Sequence, residues 1–388
     1  MLLNEFTFLS VKEIKFGPGV VITVGDVCKR LGINKALVVC DPFLVSSQIV
    51  NRITDILDEG NIIYSIFSDF MTNPTISQVT LASDFMKVNE YDGVIGFGGG
   101  SSIDTAKAIA LLMNNPKPIN QYFGVNKVPN KACPIITIPT TAGTGSEVSD
   151  ACILKDDITH IKSGIRSKCI VADVAIVDPE MTSSMPAQLT ASTGLDALTH
   201  AIEGYVSNLS NIMTQMFDRE AIKLIVENLR RAVGNGNDIE ARYHVMLGSM
   251  YAGWAMATAS VGACHAMAYP VESKYNIAHG DVNAALLPAV MRYNVIANMQ
   301  KYKEIAECMG ENVRELSIRD AAYRSVEAVD QLVKDLGIRN LAQIGVKEED
   351  LDSFTETVLN NSRLMKLNPR EVTVEACKYI YRDAMGII

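Results

Sequence analysis

The sequence predicts an α/β domain built on a parallel sheet over residues 1–185, followed by an all-α domain over residues 186–388. Two observations support this fold class. Short apolar runs alternate with helical patterns through the first half, which is typical of a parallel sheet covered by helices. After Pro186 the strand signal disappears and helical periodicity continues. The length of 388 residues also exceeds the usual size of one hydrophobic core, which favours two domains.

Five runs of strand length predict the sheet, at residues 36–40, 62–66, 93–97, 134–138 and 175–177. Amphipathic or alanine-rich stretches between them predict helices at residues 45–57, 76–88 and 103–113. In the second half the helical pattern covers residues 217–229, 243–259, 321–336 and 374–385. No linker rich in Pro, Gly or Ser separates the two predicted domains.

Residues 245–271 contain no Asp, Glu, Lys or Arg, and this stretch is long enough to span a bilayer. It is rich in Gly, Ala, Ser and Thr, however, and it contains His265. No second hydrophobic span accompanies it. We therefore interpret it as a helix buried on all sides in the helical domain and expect no membrane association.

Composition excludes several classes of partner. The net charge of −9, with no basic run, argues against nucleic acid and anionic lipid, because both require a cationic surface. The eight cysteines form no Cys-x-x-Cys pair and are interpreted as reduced thiols. Reduced thiols, together with Asn4 and Glu5 where a secretory signal would begin, predict a cytoplasmic protein.

Four residues form a candidate metal site. Asp196 and His200 are four residues apart on a predicted helix, so both side chains project from one face and can bind one ion. His265 and His279 follow in a chain that has only five histidines. The alternative is that these are unrelated histidines satisfied by backbone groups. The helical pair and the two later histidines together favour the metal site.

Two loops follow predicted strands and are candidate ligand-binding segments. Gly98, Gly99, Gly100 and Ser101 lead from a strand directly into a helix, where close backbone approach and free N–H groups suit a phosphate. The spacing matches neither standard nucleotide fingerprint, so a simple strand-to-helix turn remains the alternative. Thr140 and Thr141 follow the next strand, and such loops form the ligand crevice of α/β sheets.

Asp41 directly follows the predicted strand at residues 36–40. Its carboxylate is placed to accept hydrogen bonds from a ribose 2′-hydroxyl and to repel a 2′-phosphate. The alternative is that Asp41 only initiates the turn before Pro42.

Taken together, these motifs resemble the iron-containing (group III) alcohol dehydrogenase family. The resemblance covers nearly the whole chain and is carried by residues 98–107 (GGGSSIDTAK), 139–147 (PTTAGTGSE), 178–179 (DP), 196–204 (DALTHAIEG) and 265–280 (HAMAYPVESKYNIAHG). It implies a Rossmann-like dinucleotide-binding domain over residues 1–185 and a helical metal-binding domain over residues 186–388, in a dehydroquinate synthase-like fold.

The resemblance also assigns site residues. It implies that Asp196, His200, His265 and His279 are the metal ligands. It implies coenzyme contacts from Asp41, Asn73, Gly98, Gly99, Gly100, Ser101, Thr140, Thr141 and Lys162. Mixed nitrogen and oxygen ligands suit Fe²⁺ or Zn²⁺; affinity order alone favours Zn²⁺, and the resemblance favours Fe²⁺. Asp41 predicts NAD(H) rather than NADP(H).

The chain departs from the family pattern at two positions. Tyr269 stands where members usually have a histidine, and Glu272 stands where they usually have a glycine. Since an unperturbed tyrosine with a pKa of about 10 is rarely ionised near neutral pH, we interpret Tyr269 as a wall of the substrate pocket. Trp254 and Met256 are expected to narrow the same pocket, which favours a small substrate with a polar group.

The predicted activity is an NAD(H)-linked, metal-dependent dehydrogenation of a small primary alcohol, or reduction of the corresponding aldehyde. The alternatives are a metal- and NAD-dependent lyase or cyclase of the dehydroquinate synthase type, and a non-redox metal hydrolase. The lyase type has basic phosphate-binding residues around its site, whereas this site region has few Lys and Arg. A homodimer or larger homo-oligomer is expected.

Overall fold

The computed structural model describes residues 5–70, 74–158, 162–360 and 362–388. The chain forms two compact units. One, the α/β unit, comprises residues 9–141 and 145–183. The other, the helical unit, comprises residues 142–144 and 184–388 together with the described part of segment 1–8. The domain boundary at residue 185 remains a prediction from the sequence.

The α/β unit contains a six-stranded parallel sheet with the order β1-β9-β6-β4-β2-β3 and a three-stranded sheet with the order β5-β8-β7. The strands are β1 (Glu13–Phe16), β2 (Lys35–Val39), β3 (Ile63–Phe67), β4 (Gly93–Gly98), β5 (Gly124–Val125), β6 (Ile135–Pro139), β7 (Ala151–Lys155), β8 (Lys162–Arg166) and β9 (Val174–Val177). The helices are α1 (Val24–Leu31), α2 (Pro42–Ser46), α3 (Asn51–Glu59), α4 (Ile76–Val88) and α5 (Gly100–Asn114).

The five predicted strands are confirmed as β2, β3, β4, β6 and β9. The single helix predicted at residues 45–57 is wrong, because the chain forms α2 and α3 with a break between them. Gln48 lies in the break with φ 61°, a left-handed conformation that a continuous right-handed helix excludes. The sequence interpretation also missed β1 and the three-stranded sheet.

The central strand β4 is buried along its whole length and packs closely against α5. A Cβ added to Gly96 would lie 2.9 Å from Cβ of Ala106, so glycine is required for this approach. Gly98 ends the strand with φ 147°, and a Cβ there would lie 2.3 Å from Oγ of Ser102. These glycines place the N-terminus of α5 directly beyond the carboxyl end of β4.

The helical unit is built from eleven α-helices in its described part. They are α6 (Ala187–Val206), α7 (Ile212–Gly234), α8 (Ile239–Ala259), α9 (Ala263–Tyr275), α10 (His279–Asn294), α11 (Met299–Cys308), α12 (Ile318–Asp335), α13 (Leu341–Ile344), α14 (Leu351–Asn360), α15 (Ser362–Met365) and α16 (Val374–Ala384). The helical patterns predicted in the second half are confirmed as parts of α7, α8, α12 and α16.

The uncharged stretch at residues 245–271 is not one helix, contrary to the prediction. Helix α8 ends at Ala259, Ser260 adopts φ 60°, and α9 starts at Ala263. This break places His265 in the first turn of α9. Along the described parts of the chain, no helix combines the length and apolar character needed to cross a membrane.

Candidate active site

One carboxylate and two imidazoles of the helical unit converge on one point. Asp196 on α6, His265 on α9 and His279 at the start of α10 each offer a ligand atom, and these atoms lie within 4.8 Å of one another. Oδ1 of Asp196 is 3.7 Å from Nε2 of His265 and 3.7 Å from Nε2 of His279. Three of the four predicted metal ligands are therefore brought together.

The fourth predicted ligand, His200, stands beside this group. It lies one helical turn after Asp196 on α6, and its ring stacks on that of His265 with centroids 4.7 Å apart and planes at 22°. Its Nδ1 is 3.3 Å from the carbonyl oxygen of Gly143. With Nδ1 on a backbone carbonyl, Nε2 is the nitrogen left for a metal.

Two glutamates fix the other histidines. Oε2 of Glu203 accepts from Nδ1 of His265 at 2.6 Å, and Oε1 of Glu272 accepts from Nδ1 of His279. Carboxylates that bind the far ring nitrogen select the tautomer and the orientation of a metal-ligating histidine. The sequence interpretation assigned no role to either glutamate. Glu203 follows Asp196 by seven residues, and this two-turn spacing is the signal that could have identified it.

The geometry fits a bound divalent metal. Nε2 of His265 is buried and has no hydrogen-bond partner among the residues that the structure describes, which is costly unless another group satisfies it. Burial lowers the pKa of His265 well below its usual value, and the neighbouring His200 and His279 lower it further. The ring is therefore kept neutral, which is the form that binds metals. One carboxylate with three imidazoles is a donor set that suits Fe²⁺ or Zn²⁺.

The carboxyl of Asp196 is suited to the same role. Burial acts to raise its pKa, but His200 and His279 face it and Asn283 donates to Oδ1 at 2.8 Å, so the pKa is held below its usual value. The group is ionised at neutral pH and supplies an anionic oxygen ligand.

Tyr269 lies one turn after His265 on α9, next to the cluster. Its ring stacks on that of His279 with centroids 6.1 Å apart and planes at 14°. Burial, followed by the charge of Glu272, raises the pKa of Tyr269 above its usual value. The phenol therefore stays protonated, which supports its interpretation as a pocket wall rather than a base.

We predict that Tyr269→Phe mainly raises KM for the best aldehyde, by about tenfold, while kcat changes less than about threefold, because one hydroxyl hydrogen bond to substrate is lost. Steady-state kinetics with a saturating coenzyme measures both. A fall in kcat of about a thousandfold at unchanged KM would instead make Tyr269 the proton donor.

Trp254 on α8 belongs to an aromatic group. Its ring lies 5.2 Å from that of Phe217 and 5.9 Å from that of Tyr251, between ring centroids. The narrowing of a substrate pocket by Trp254 and Met256 stays a prediction.

The predicted phosphate loop is built as a helix N-terminus. Gly99 precedes the first residue of α5, Gly100, and none of the described side chains caps the helix. The first N–H groups of an α-helix have no acceptor within the helix, and such a terminus suits an anion. The backbone N–H of Thr140 donates to the carbonyl of Gly98 at 3.0 Å. A Cβ on Gly99 would lie 3.4 Å from the side chain of Thr141, so the two predicted loops adjoin.

The remaining predicted coenzyme residues are placed as follows. Asp41 follows β2, the neighbour of β4, and its Oδ1 accepts from the backbone N–H groups of Phe43 and Leu44. It therefore caps α2, as the turn alternative proposed, and its position at the carboxyl end of the sheet is also the one that a ribose contact requires. Lys162 begins β8 of the smaller sheet. Asn73 lies outside the described residues.

A buried lysine supports the second loop. Nζ of Lys107 donates to the carbonyls of Ser146 at 2.6 Å, Ser149 at 2.8 Å and Ala151 at 3.0 Å. Asp104, one turn earlier on α5, accepts from the N–H of Ile153 at 2.9 Å. Both belong to the motif at residues 98–107, and the structure gives them a role in holding the loop that follows Thr140 and Thr141.

Comparison with known families decides the assignment. The family pattern described as iron-containing alcohol dehydrogenase matches residues 12–179, and that of the C-terminal part of the Fe-containing alcohol dehydrogenase family matches residues 190–385. The chain belongs to the iron-containing alcohol dehydrogenase family. It is thus an oxidoreductase, and the fold and family expected from the sequence are confirmed.

Three similar proteins of the family are named for small alcohols or aldehydes. The NAD-dependent methanol dehydrogenase of Bacillus methanolicus is 38% identical over 370 residues, covering 95% of this chain and 97% of that protein. The lactaldehyde reductase of Escherichia coli is 36% identical and covers 99% of each chain. The crystal structure of 1,3-propanediol oxidoreductase superposes with a TM-score of 0.96 at 38% identity, covering 98% of this chain and 100% of that one.

Proposed function

We propose that this member of the iron-containing alcohol dehydrogenase family is a metal-dependent, NAD(H)-linked enzyme that interconverts a small primary alcohol and its aldehyde. The observation that carries the proposal is the convergence of Asp196, His265 and His279 within 4.8 Å, with His200 stacked beside them. When bound, the two cofactors supply Lewis-acid activation of the substrate oxygen and a hydride acceptor or donor, respectively.

The chain's own residues supply binding and orientation. Asp196, His200, His265 and His279 would hold Fe²⁺, with Zn²⁺ as the alternative. The uncapped N-terminus of α5 would bind the coenzyme pyrophosphate through backbone N–H groups. Tyr269, kept neutral by burial, would present a hydroxyl donor and bulk beside the reacting carbon, which favours a small substrate that carries a polar group.

Family membership favours the dehydrogenase over the two alternative activities. A lyase of the dehydroquinate synthase type and a non-redox hydrolase both produce no net NADH. Incubating the metal-loaded protein with NAD⁺ and a series of short aliphatic alcohols and diols, and recording absorbance at the NADH band, separates the three. Absence of NADH with every alcohol, and of NADH consumption with every matching aldehyde, would contradict the proposal.

The coenzyme preference gives a further prediction. Asp41→Gly is expected to raise kcat/KM for NADP(H) relative to NAD(H) by at least about tenfold, because a carboxylate near the 2′-phosphate repels it. Asp41→Asn is the matched control for the helix cap, since asparagine caps α2 equally well but carries no charge. Both variants should relax the preference; a wild-type enzyme that uses both coenzymes equally would rule out this role.

We also propose a cytoplasmic homo-oligomer. All eight cysteines are free thiols, which supports a reducing compartment. Leu209, Ile212 and Met216, near the start of α7, expose 51%, 73% and 58% of their surface, and such neighbouring apolar side chains suit a partner surface. Light scattering on the purified protein measures the assembly, and a monomer at micromolar concentration would contradict it.

A further inference from the structure

The three imidazoles of the site share one arrangement. In each ring Nδ1 faces an oxygen acceptor: the carbonyl of Gly143 for His200, Glu203 for His265 and Glu272 for His279. The acceptors differ in kind and origin. Only Glu272 occupies a position where the family usually has a residue without a side chain.

His279 is the ring that most needs such an anchor. Its side chain is 34% exposed, whereas that of His265 is 3% exposed. It is the first residue of α10, so no preceding helical turn confines it. Packing against Tyr269 restricts the ring on one side, and a hydrogen bond to Nδ1 fixes its remaining rotation.

The hydrogen bonds around His279 specify a single tautomer. Nδ2 of Asn283 lies 3.0 Å from Nε2 of His279, and an amide N–H there requires Nε2 to be the unprotonated nitrogen. The proton is then on Nδ1, where the carboxylate of Glu272 accepts it. Glu272 and Asn283 thus favour the same tautomer, with the proton on Nδ1. Its Nε2, which lies 3.7 Å from Oδ1 of Asp196, carries the lone pair.

The position of Glu272 in the fold allows this contact. It lies seven residues after His265 on α9, so the two side chains share a face, and its own side chain is 5% exposed. One helix therefore supplies both a predicted ligand and the anchor for the next one. A glycine at residue 272 would leave Nδ1 of His279 without this partner.

We propose that Glu272, which stands where the family usually has glycine, is a positioning residue: it holds His279 in the Nδ1-protonated tautomer with Nε2 directed at the metal site, and so increases metal retention. This inference rests on the proposed function, since it takes His279 as a ligand. Loss of a carboxylate that backs a ligating histidine typically costs about 10- to 100-fold in metal affinity.

The test compares the wild type with Glu272→Gly, Glu272→Gln and the control Glu356→Gln, an exposed glutamate on α14. Each metal-free protein is titrated with Co²⁺ and Zn²⁺ against a competing chelator, and the dissociation rate is measured after chelator excess. We expect Glu272→Gly to bind about 10- to 100-fold more weakly and Glu272→Gln to be intermediate, because its amide oxygen accepts the Nδ1 proton without charge. The control should match the wild type.

The visible spectrum of the Co²⁺ forms adds a readout that a purely structural role would not change. A reoriented imidazole should alter the d–d bands in Glu272→Gly and not in Glu356→Gln. If Glu272→Gly does not fold, Glu272→Gln carries the same test.

Affinity, dissociation rate and Co²⁺ spectrum indistinguishable from the wild type in every folded Glu272 variant would overturn the inference while leaving the proposed function intact. Failure of the wild type itself to bind any divalent metal would overturn both. The two failures are therefore distinguished by the wild-type titration.

Discussion

Replacing His200 by alanine is expected to remove the bound metal and to lower kcat by at least about a thousandfold, which corresponds to roughly 4 kcal/mol of lost transition-state stabilisation. The variant tests whether the metal has three or four protein ligands, because His200 stands beside the group of Asp196, His265 and His279 rather than within it. Within the described residues the ring of His200 contacts the carbonyl oxygen of Gly143 and stacks on that of His265, and alanine would remove both contacts. Metal content per chain and steady-state turnover are the measurements.

The matched control is His244→Ala. His244 lies on α8, and its Nδ1 contacts the backbone carbonyl of Glu240 at 2.9 Å. It does not belong to the group formed by Asp196, His265 and His279. The His244→Ala protein should keep both its bound metal and its activity. A His200→Ala protein with one metal per chain and wild-type kcat would show that the site uses three protein ligands.

Replacing Lys107 by methionine is expected to destabilise the α/β unit by about 3–5 kcal/mol, the usual cost of removing one partner from a buried charged network. The carbonyls of Ser146, Ser149 and Ala151 would lose their common donor. Burial lowers the pKa of Lys107 and the charge of Asp104 opposes this, so Asp104 would also lose its counter-charge. The urea midpoint of unfolding measures the effect.

Lys127→Met, at an exposed position of the same unit, controls for loss of a positive charge. It should unfold within about 0.5 kcal/mol of the wild type, as surface substitutions usually do. Equal midpoints for the two variants would mean that the three carbonyls are satisfied in some other way. Loss of soluble Lys107→Met protein beside a normal yield of Lys127→Met would agree with the prediction.

Much of the fold could be predicted because buried parallel strands are continuous apolar runs. The central strands β4 and β6 are buried at every residue, and no polar alternation obscures them. The missed strand β8 begins with Lys162 opposite Lys155, and it is recognisable as a strand from its pairing with β7 and β5. The helix breaks at Gln48 and Ser260 were missed because neither residue type signals a left-handed backbone.

The candidate site could likewise be predicted only in part from the sequence. Asp196 and His200 could be paired from their spacing, because a helix fixes which residues share a face. Distances between helices cannot be obtained from spacing. His265 and His279 were therefore grouped with this pair because the chain has only five histidines, and the family resemblance supported the grouping. The roles of Glu203 and Glu272 depend on which ring nitrogen faces which neighbour, and that is a property of the folded chain.

Helix α6 carries Asp196, His200 and Glu203 on one face, and it is buried on the other faces too. Inserting or deleting one residue between Asp196 and His200 would rotate every later side chain by about 100° around the helix axis. The imidazole and the carboxylate would then point into neighbouring helices. A single substitution changes one side chain, whereas a change of length here moves His200 and Glu203 together relative to Asp196. The number of residues in this segment is therefore as strictly constrained as their identity.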